Sequence, residues 1–170
     1  MKELHCPNCG TPFVRVASHK GTVERVLGRF NVFPFRCQLC TNRFRALWSG
    51  ARENTQVFDQ RQYKRLTTSI EAQFLTDSNL RATNRITEIS MDGCTLQTTS
   101  ELARGTFLEL VLKPASGEEP ITIGSAMVSS VRPSSMGVHF LEIEPRDKHR
   151  LSQIVLGLLV GHSYHPMTNA

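Results

Sequence analysis

No stretch of about 18 consecutive apolar residues occurs in the sequence, which excludes an ordinary membrane-spanning helix. The opening residues, Met1-Lys2-Glu3-Leu4-His5-Cys6, lack the apolar core of a secretory signal, so a cytoplasmic location is expected. The patterns of catalysis are missing as well. There is no nucleophile set beside a base, no glycine loop that would cradle a phosphate and no pair of carboxylates at catalytic spacing, and no catalytic residue is therefore expected. Acidic side chains are scarce at one end only. Residues 1 to 50 hold Lys2, Arg15, Lys20, Arg25, Arg29, Arg36, Arg43 and Arg45 against Glu3 and Glu24, a net charge of +6, whereas residues 51 to 170 come to −1. The basic character belongs to the N-terminal part, whose surface would attract an acidic partner.

What is present begins with cysteine. Cys6 and Cys9, and Cys37 and Cys40, form two C-x-x-C pairs, while Cys94 stands alone in a strand-like context and reads as a small buried hydrophobe. Paired cysteines in an intracellular chain point to a metal rather than to disulfides. Each pair presents two thiolates from a tight turn, and two such knuckles supply the four soft ligands of a tetrahedral Zn²⁺. With four cysteines available, His5 and His19 are bystanders. Thr11 to Val16 and Thr22 to Leu27 alternate in the manner of strands around a turn at Ser18 to Gly21, and Arg43 to Trp48 reads as a further strand. Over roughly residues 4 to 48 the chain resembles the zinc ribbons, through Cys6-Pro7-Asn8-Cys9-Gly10 and Arg36-Cys37-Gln38-Leu39-Cys40. The metal is expected to be structural, because so short a module cannot bury enough apolar surface to fold alone. Its arginines have no dense basic run or aromatic platform around them, so a protein-docking or solvated face is favoured over nucleic-acid binding.

Residues 49 to 56 are polar and without periodicity, which places a boundary there. Beyond it come short runs separated by turns: Thr67 to Leu75, Arg85 to Ser90, Cys94 to Thr98, Thr106 to Leu112, Ile121 to Val131 and Gly137 to Ile143. Such spacing predicts a small antiparallel β-barrel. Leu151, Ile154, Val155, Leu158 and Leu159 form the stripe of an amphipathic helix that begins near Pro145 and Asp147. The tail after Gly161, including His162 and His165, has no periodicity and is expected to be loose rather than metal-binding.

Two clusters single out a candidate site. Arg61 and Arg65 bracket Gln62-Tyr63-Lys64, and Glu88-Ile89-Ser90-Met91-Asp92-Gly93 follows across the first strands. Residues 56 to 160 resemble the PilZ domain, the bacterial receptor module for cyclic di-GMP. Arg61 and Arg65 match its R-x-x-x-R, and Ser90 and Gly93 match its [D/N]-x-S-x-x-G, with Glu88 in place of the Asp or Asn. The resemblance implies a non-enzymatic receptor that takes cyclic di-GMP as ligand. Arg61 and Arg65 would jointly contact phosphate and guanine, Glu88 would accept from a guanine, Ser90 would supply a hydroxyl, and Gly93 would give backbone freedom. Asp92 reads as a turn-stabilising residue.

The expected architecture is mainly β. A zinc ribbon covers 1–50, a linker 51–56, a PilZ-type barrel with a C-terminal helix 57–161 and a loose tail 162–170. The expected partners are cyclic di-GMP and a protein, with nucleic acid less favoured and no membrane, in a monomer or dimer. Glu88 supports an alternative in which the barrel no longer binds nucleotide and acts by protein contact. The +6 half supports another, a ribbon that binds nucleic acid.

Overall fold

The computed structural model describes residues 4–48, 62–75, 82–99, 102–114 and 118–161. The expected linker, Arg61 and the tail with His162 and His165 lie outside the described residues. The chain divides into two compact units, Met1–Lys64 and Arg65–Ala170. The second unit begins eight residues after the start expected for the barrel at residue 57, and the main chain of Gln62 and Lys64 is hydrogen-bonded within the N-terminal unit.

In that unit a three-stranded antiparallel sheet runs in the order β1 (Val14–Val16), β2 (Val32–Cys37), β3 (Arg43–Leu47). Between β1 and β2 lies the helix α1 (Gly21–Gly28), where the sequence pattern predicts a strand over Thr22 to Leu27. Val23, Val26 and Leu27 stand at i, i+3 and i+4, the helical spacing, whereas in a strand Val26 would face away from the other two, so the partial alternation misleads. Two further features favour the helix. Gly21 takes φ of 79°, and Glu24 turns back to accept the Lys20 N–H at 2.5 Å, occupying a donor that a helix start leaves free.

The same carboxylate ties the helix to the sheet. Glu24, whose side chain is only 3% exposed, receives Arg43 at 2.6 Å and Arg45 at 3.3 Å from β3. The Lys20 N–H and then the Arg43 and Arg45 guanidiniums hold its carboxyl below the usual range, against the opposing effect of burial. The apolar centre of the unit is small: Phe35 stacks on Phe44 with centroids 5.9 Å apart and meets Trp48 edge-on at 6.0 Å. His19 packs against Phe33.

The C-terminal unit is a closed barrel of six antiparallel strands in the order β4-β5-β6-β9-β8-β7, in agreement with the sequence. The strands are β4 (Leu66–Leu75), β5 (Ala82–Ser90), β6 (Gly93–Gln97), β7 (Phe107–Lys113), β8 (Ile121–Arg132) and β9 (Ser135–Glu142). Alternate residues point inward, and Ile70, Phe74, Ile86, Ile89, Leu96 and Leu110 are among the fully buried core. Helix α2 (Pro145–Leu159) starts with Pro at its first turn, as expected, and buries Leu151, Ile154 and Val155, with Leu158 and Leu159 half-buried. Asp147 accepts the Thr122 N–H of β8 at 3.0 Å, which fastens the helix start to the barrel.

Closure depends on Gly93. A Cβ at this position would lie 2.2 Å from the Val138 carbonyl oxygen of β9, so only glycine allows β6 and β9 to pair as they do. Gly93→Ala is expected to destabilise the barrel by roughly 1–3 kcal/mol or more, read from urea unfolding followed by far-ultraviolet circular dichroism. Glu24→Gln is expected to lower the melting temperature of the N-terminal unit alone. Trp48, the single tryptophan of the chain, reports that transition by fluorescence.

Candidate functional site

The short hairpin β5–β6 lays out the site by its register. The two residues Met91 and Asp92 form its turn, so Ser90 faces Gly93, Ile89 faces Cys94 and Glu88 faces Thr95. Because side chains alternate, Ile89 and Cys94 enter the core while Glu88 and Thr95 lie on the outer face. The row continues across the barrel from Thr95 to Gly137 of β9 and Ser130 of β8. These are small residues, and the Ser130 hydroxyl occupies the place a Cβ on Gly137 would take.

Arg65 opens the barrel unit and reaches this row. Its Nη1 donates to the Thr95 hydroxyl at 3.0 Å and lies 3.5 Å from Glu88 Oε2. Thr95 in turn donates to the same carboxylate oxygen at 3.0 Å. Arg65, Thr95 and Glu88 thus form a closed triangle, with the Glu88 side chain 41% exposed and that of Arg65 26%. Thr95 itself is almost covered. Below them burial pushes the Cys94 thiol up to about 12, with Arg65 pulling weakly the other way, so Cys94 is the inert core residue the sequence led us to expect.

The serine and glycine of the second cluster act on the fold. Ser90 is buried; its hydroxyl donates to the Gly93 carbonyl at 3.1 Å and accepts the Asp92 N–H at 3.3 Å. It shapes the turn that carries Glu88 and Thr95 into opposition. Gly93 provides a close approach, but to β9. The Asp92 carbonyl accepts the Phe140 N–H and the His139 Nδ1–H, both at 2.9 Å, which agrees with its expected turn role.

The structure thus brings together Arg65 and Glu88, both singled out in the sequence, and adds Thr95, which was not. The signal was present: a two-residue turn after Ser90 implies, by counting outward, that Glu88 pairs with Thr95.

A second centre lies in the N-terminal unit. The Sγ atoms of Cys6, Cys9, Cys37 and Cys40 all lie within 4.8 Å of one another, with Cys6 to Cys40 at 3.5 Å and Cys9 to Cys37 at 3.6 Å. Four sulfurs bonded to a tetrahedral zinc at about 2.3 Å stand about 3.8 Å apart, so the cluster has the spacing of a closed metal site. The two knuckles are built alike. The residue after each second cysteine takes a left-handed backbone, Gly10 with φ of 72° and Thr41 with φ of 63°. Burial works to raise the Cys9 thiol, but the Thr11 hydroxyl and amide and the neighbouring thiols outweigh it and bring it to about 6, whereas burial drives Cys40 up to about 12. A cation bound here would hold all four cysteines as thiolates.

The second knuckle also reaches the chain ahead of Arg65. Gln38, between Cys37 and Cys40 and nearly fully buried, donates from Nε2 to the Gln62 carbonyl at 3.1 Å and accepts the Lys64 N–H on Oε1 at 2.8 Å. Arg36 donates to the Tyr63 hydroxyl at 3.0 Å, with its guanidinium 5.5 Å from the ring centre, and Tyr63 is buried. Neither contact has a cue in the sequence.

Among known proteins, the pattern described as "PilZ domain" matches residues 59–157. Comparison with curated protein sequences finds no match. Solved structures share the fold. The PilZ domain of YcgR from Escherichia coli, solved with c-di-GMP, is similar at a TM-score of 0.50 and 16% identity, over 59% of this chain and 92% of that one. The Bacillus subtilis inhibitor of motility MotI/DgrA gives 0.52 and 19%, over 76% and 65%. The MrkH–c-di-GMP complex of K. pneumonia gives 0.53 and 18%, over 76% and 71%. No helix among the described residues is long and apolar enough to cross a membrane. With the family pattern covering more than half of the chain and the closed six-stranded barrel to match, the chain belongs to the PilZ domain family.

Proposed function

We propose that the protein is a non-enzymatic receptor for cyclic di-GMP, with Arg61 and Arg65 as its phosphate and guanine ligands and Glu88 as a guanine acceptor. The observation that carries this reading is the Arg65–Thr95–Glu88 triangle on the outer face of the barrel, beside a row of small residues. A guanidinium fork suits both phosphate oxygens and guanine O6 and N7, and its face stacks on a purine. Without ligand, Arg65 is held by Thr95 and Glu88 rather than left free. A phosphate arriving at Arg65 replaces the carboxylate as its counter-charge and releases Glu88 to accept from guanine N–H groups. Ser90 and Gly93 support the site by fixing the hairpin. Arg61, one residue ahead of the described segment, takes its role from the family pattern.

The metal is zinc in this reading, held by Cys6, Cys9, Cys37 and Cys40, and its part is to fold the N-terminal module. That module passes the bound state to a protein partner. Three of its arginines are engaged internally, Arg43 and Arg45 on Glu24 and Arg36 on Tyr63, which weakens the case for nucleic acid. Val23, Val26, Phe30 and Leu47 are all more than half exposed, a composition suited to protein contact.

Titration calorimetry with cyclic di-GMP tests the receptor role. Wild type is expected to bind. Arg65→Ala should weaken binding by roughly 10- to 100-fold, the worth of a charge-assisted hydrogen bond, and Thr95→Val by a smaller factor. Absence of heat with wild type defeats the reading in favour of a PilZ scaffold that acts by protein contact alone.

For the metal, elemental analysis should find one zinc per chain. Chelation is expected to abolish the Trp48 fluorescence transition while the β signal of the barrel persists.

A further inference from the structure

We infer that Gln38 is a positioning residue for Arg65, the described arginine of the proposed nucleotide site, and that metal occupancy of the four-cysteine site therefore sets nucleotide affinity. The inference rests on the receptor reading above and adds a second input to it.

Of the five residues from Arg61 to Arg65, all but the last belong to the N-terminal unit, and Gln62, Tyr63 and Lys64 are held there at three points. Gln38 takes the Gln62 carbonyl and the Lys64 N–H with the two ends of one amide, as a neighbouring strand would. Only this orientation of the amide satisfies both partners, since Lys64 N–H requires an acceptor and Gln62 C=O a donor. Arg36, the residue before Cys37, holds Tyr63 between them.

Gln38 owes its own position to the knuckle. Its N–H donates to the Phe13 carbonyl at 2.9 Å, Cys37 N–H donates to the Asn42 carbonyl at 2.9 Å, and the Leu39 N–H points at Cys37 Sγ at 3.4 Å. Those contacts close the loop from Cys37 to Cys40. Without a cation the thiols add only weak hydrogen bonds to those backbone contacts, whereas metal bonds fix Cys37 and Cys40 at once. When the knuckle opens, the Gln38 amide leaves Gln62 and Lys64, and two backbone groups lose their partners.

The consequence passes along the chain. Arg65 follows Lys64 directly, one Cα step of about 3.8 Å away, and Arg61 precedes Gln62. A segment pinned as far as Lys64 presents Arg65 with little left to order, and ligand binding is stronger for it. A segment set free must be ordered by the ligand, and affinity falls by that entropy. Nothing in this depends on how the two units are arranged, since the contacts lie within the N-terminal unit and the link to Arg65 is covalent.

The test measures amide hydrogen exchange at Lys64 and titrates cyclic di-GMP into the same full-length samples: zinc-loaded wild type, chelated wild type and zinc-loaded Gln38→Leu. With zinc content still one per chain, Gln38→Leu is expected to speed Lys64 exchange and to weaken nucleotide binding by roughly tenfold, as two lost hydrogen bonds imply; chelated wild type should show the same two changes. Unchanged Lys64 exchange in both overturns the inference whatever the nucleotide does. Faster exchange with unchanged affinity overturns the link to the ligand. If wild type binds no nucleotide while Lys64 exchange responds, the receptor reading falls and the positioning by Gln38 stands. Should Gln38→Leu lose zinc, Gln38→Glu takes its place, since it keeps the acceptor for Lys64 N–H. Lys64 then stays protected, and rapid exchange with zinc bound overturns the assignment.

Discussion

The carbonyl of Val138 stands where a side chain at position 93 would be, and the barrel's register follows from that contact. With β6 held this close to β9, Gly93 is opposite His139, Thr95 opposite Gly137, and Cys94 opposite Val138. The hairpin carries the same alignment to β5. A slip of one residue would turn Glu88 and Thr95 into the core and expose Ile89 and Cys94, which forbids it energetically. The polar row Glu88–Thr95–Gly137–Ser130 is therefore the outer counterpart of the apolar row Ile89–Cys94–Val138–Val128 within. Site and core are specified by the same pairing, and a site built this way costs the barrel no separate scaffold.

The N-terminal unit faces the opposite difficulty, too little interior. Its aromatic cluster is centred on Phe35, and a module of some fifty residues cannot rest on that alone. Two charged devices make up the difference. Four cysteines suited to a cation join the two knuckles, and Glu24 joins α1 to β3 through Arg43 and Arg45. Arg43 and Arg45, two of the basic side chains a nucleic-acid surface would use, are committed to this internal network. What remains outward is as much apolar as basic, with Phe30 and Leu47 among the most exposed large side chains.

How far the sequence reaches depends on whether a residue's role is set by its neighbours in the chain or by partners far away. The barrel strands and α2 were legible because alternation and the Leu151–Ile154–Val155 stripe are local patterns tied directly to burial. The cysteine site was legible because metal ligation fixes residue type and spacing together. Helix α1 was misread: Val23, Val26 and Leu27 carry the helical spacing in a run too short to stand out, and the helix is held by Glu24, whose partners Arg43 and Arg45 come some twenty residues later. The roles of Ser90 and Gly93 were assigned to the ligand by family pattern, and the geometry instead spends them on the turn and on β9. Gln38 was invisible for a similar reason. An amide inside a C-x-x-C knuckle carries no sequence signal for a bond to Lys64, twenty-six residues on.

Glu88 is the position where this chain departs from the family's shorter acidic or amide residue, and the strand around it departs from regularity too. The β5–β6 register shifts between Ile86 and Glu88, and the β4–β5 register shifts between Thr67 and Ile70, just after Arg65. Bulges bend a strand and re-aim the side chains beside them. Here they flank the two residues whose charges must meet, and Glu88 arrives with one carboxylate oxygen shared between Thr95 and Arg65. A carboxylate so placed does two jobs that a shorter one on the same backbone would do less well: it reaches the Thr95 hydroxyl across the hairpin, and it keeps Arg65 folded onto the barrel instead of extended into water. The longer side chain is thus a preorganising element for the arginine. The opposing cost is competition, since any anion that seeks Arg65 must first displace Glu88. At 41% exposure that ion pair is screened by solvent and weak, whereas a bidentate phosphate contact is strong. On the receptor reading, preorganisation would outweigh competition for a doubly charged ligand and competition would prevail for weaker anions, so that Glu88 would act as a filter as well as a support.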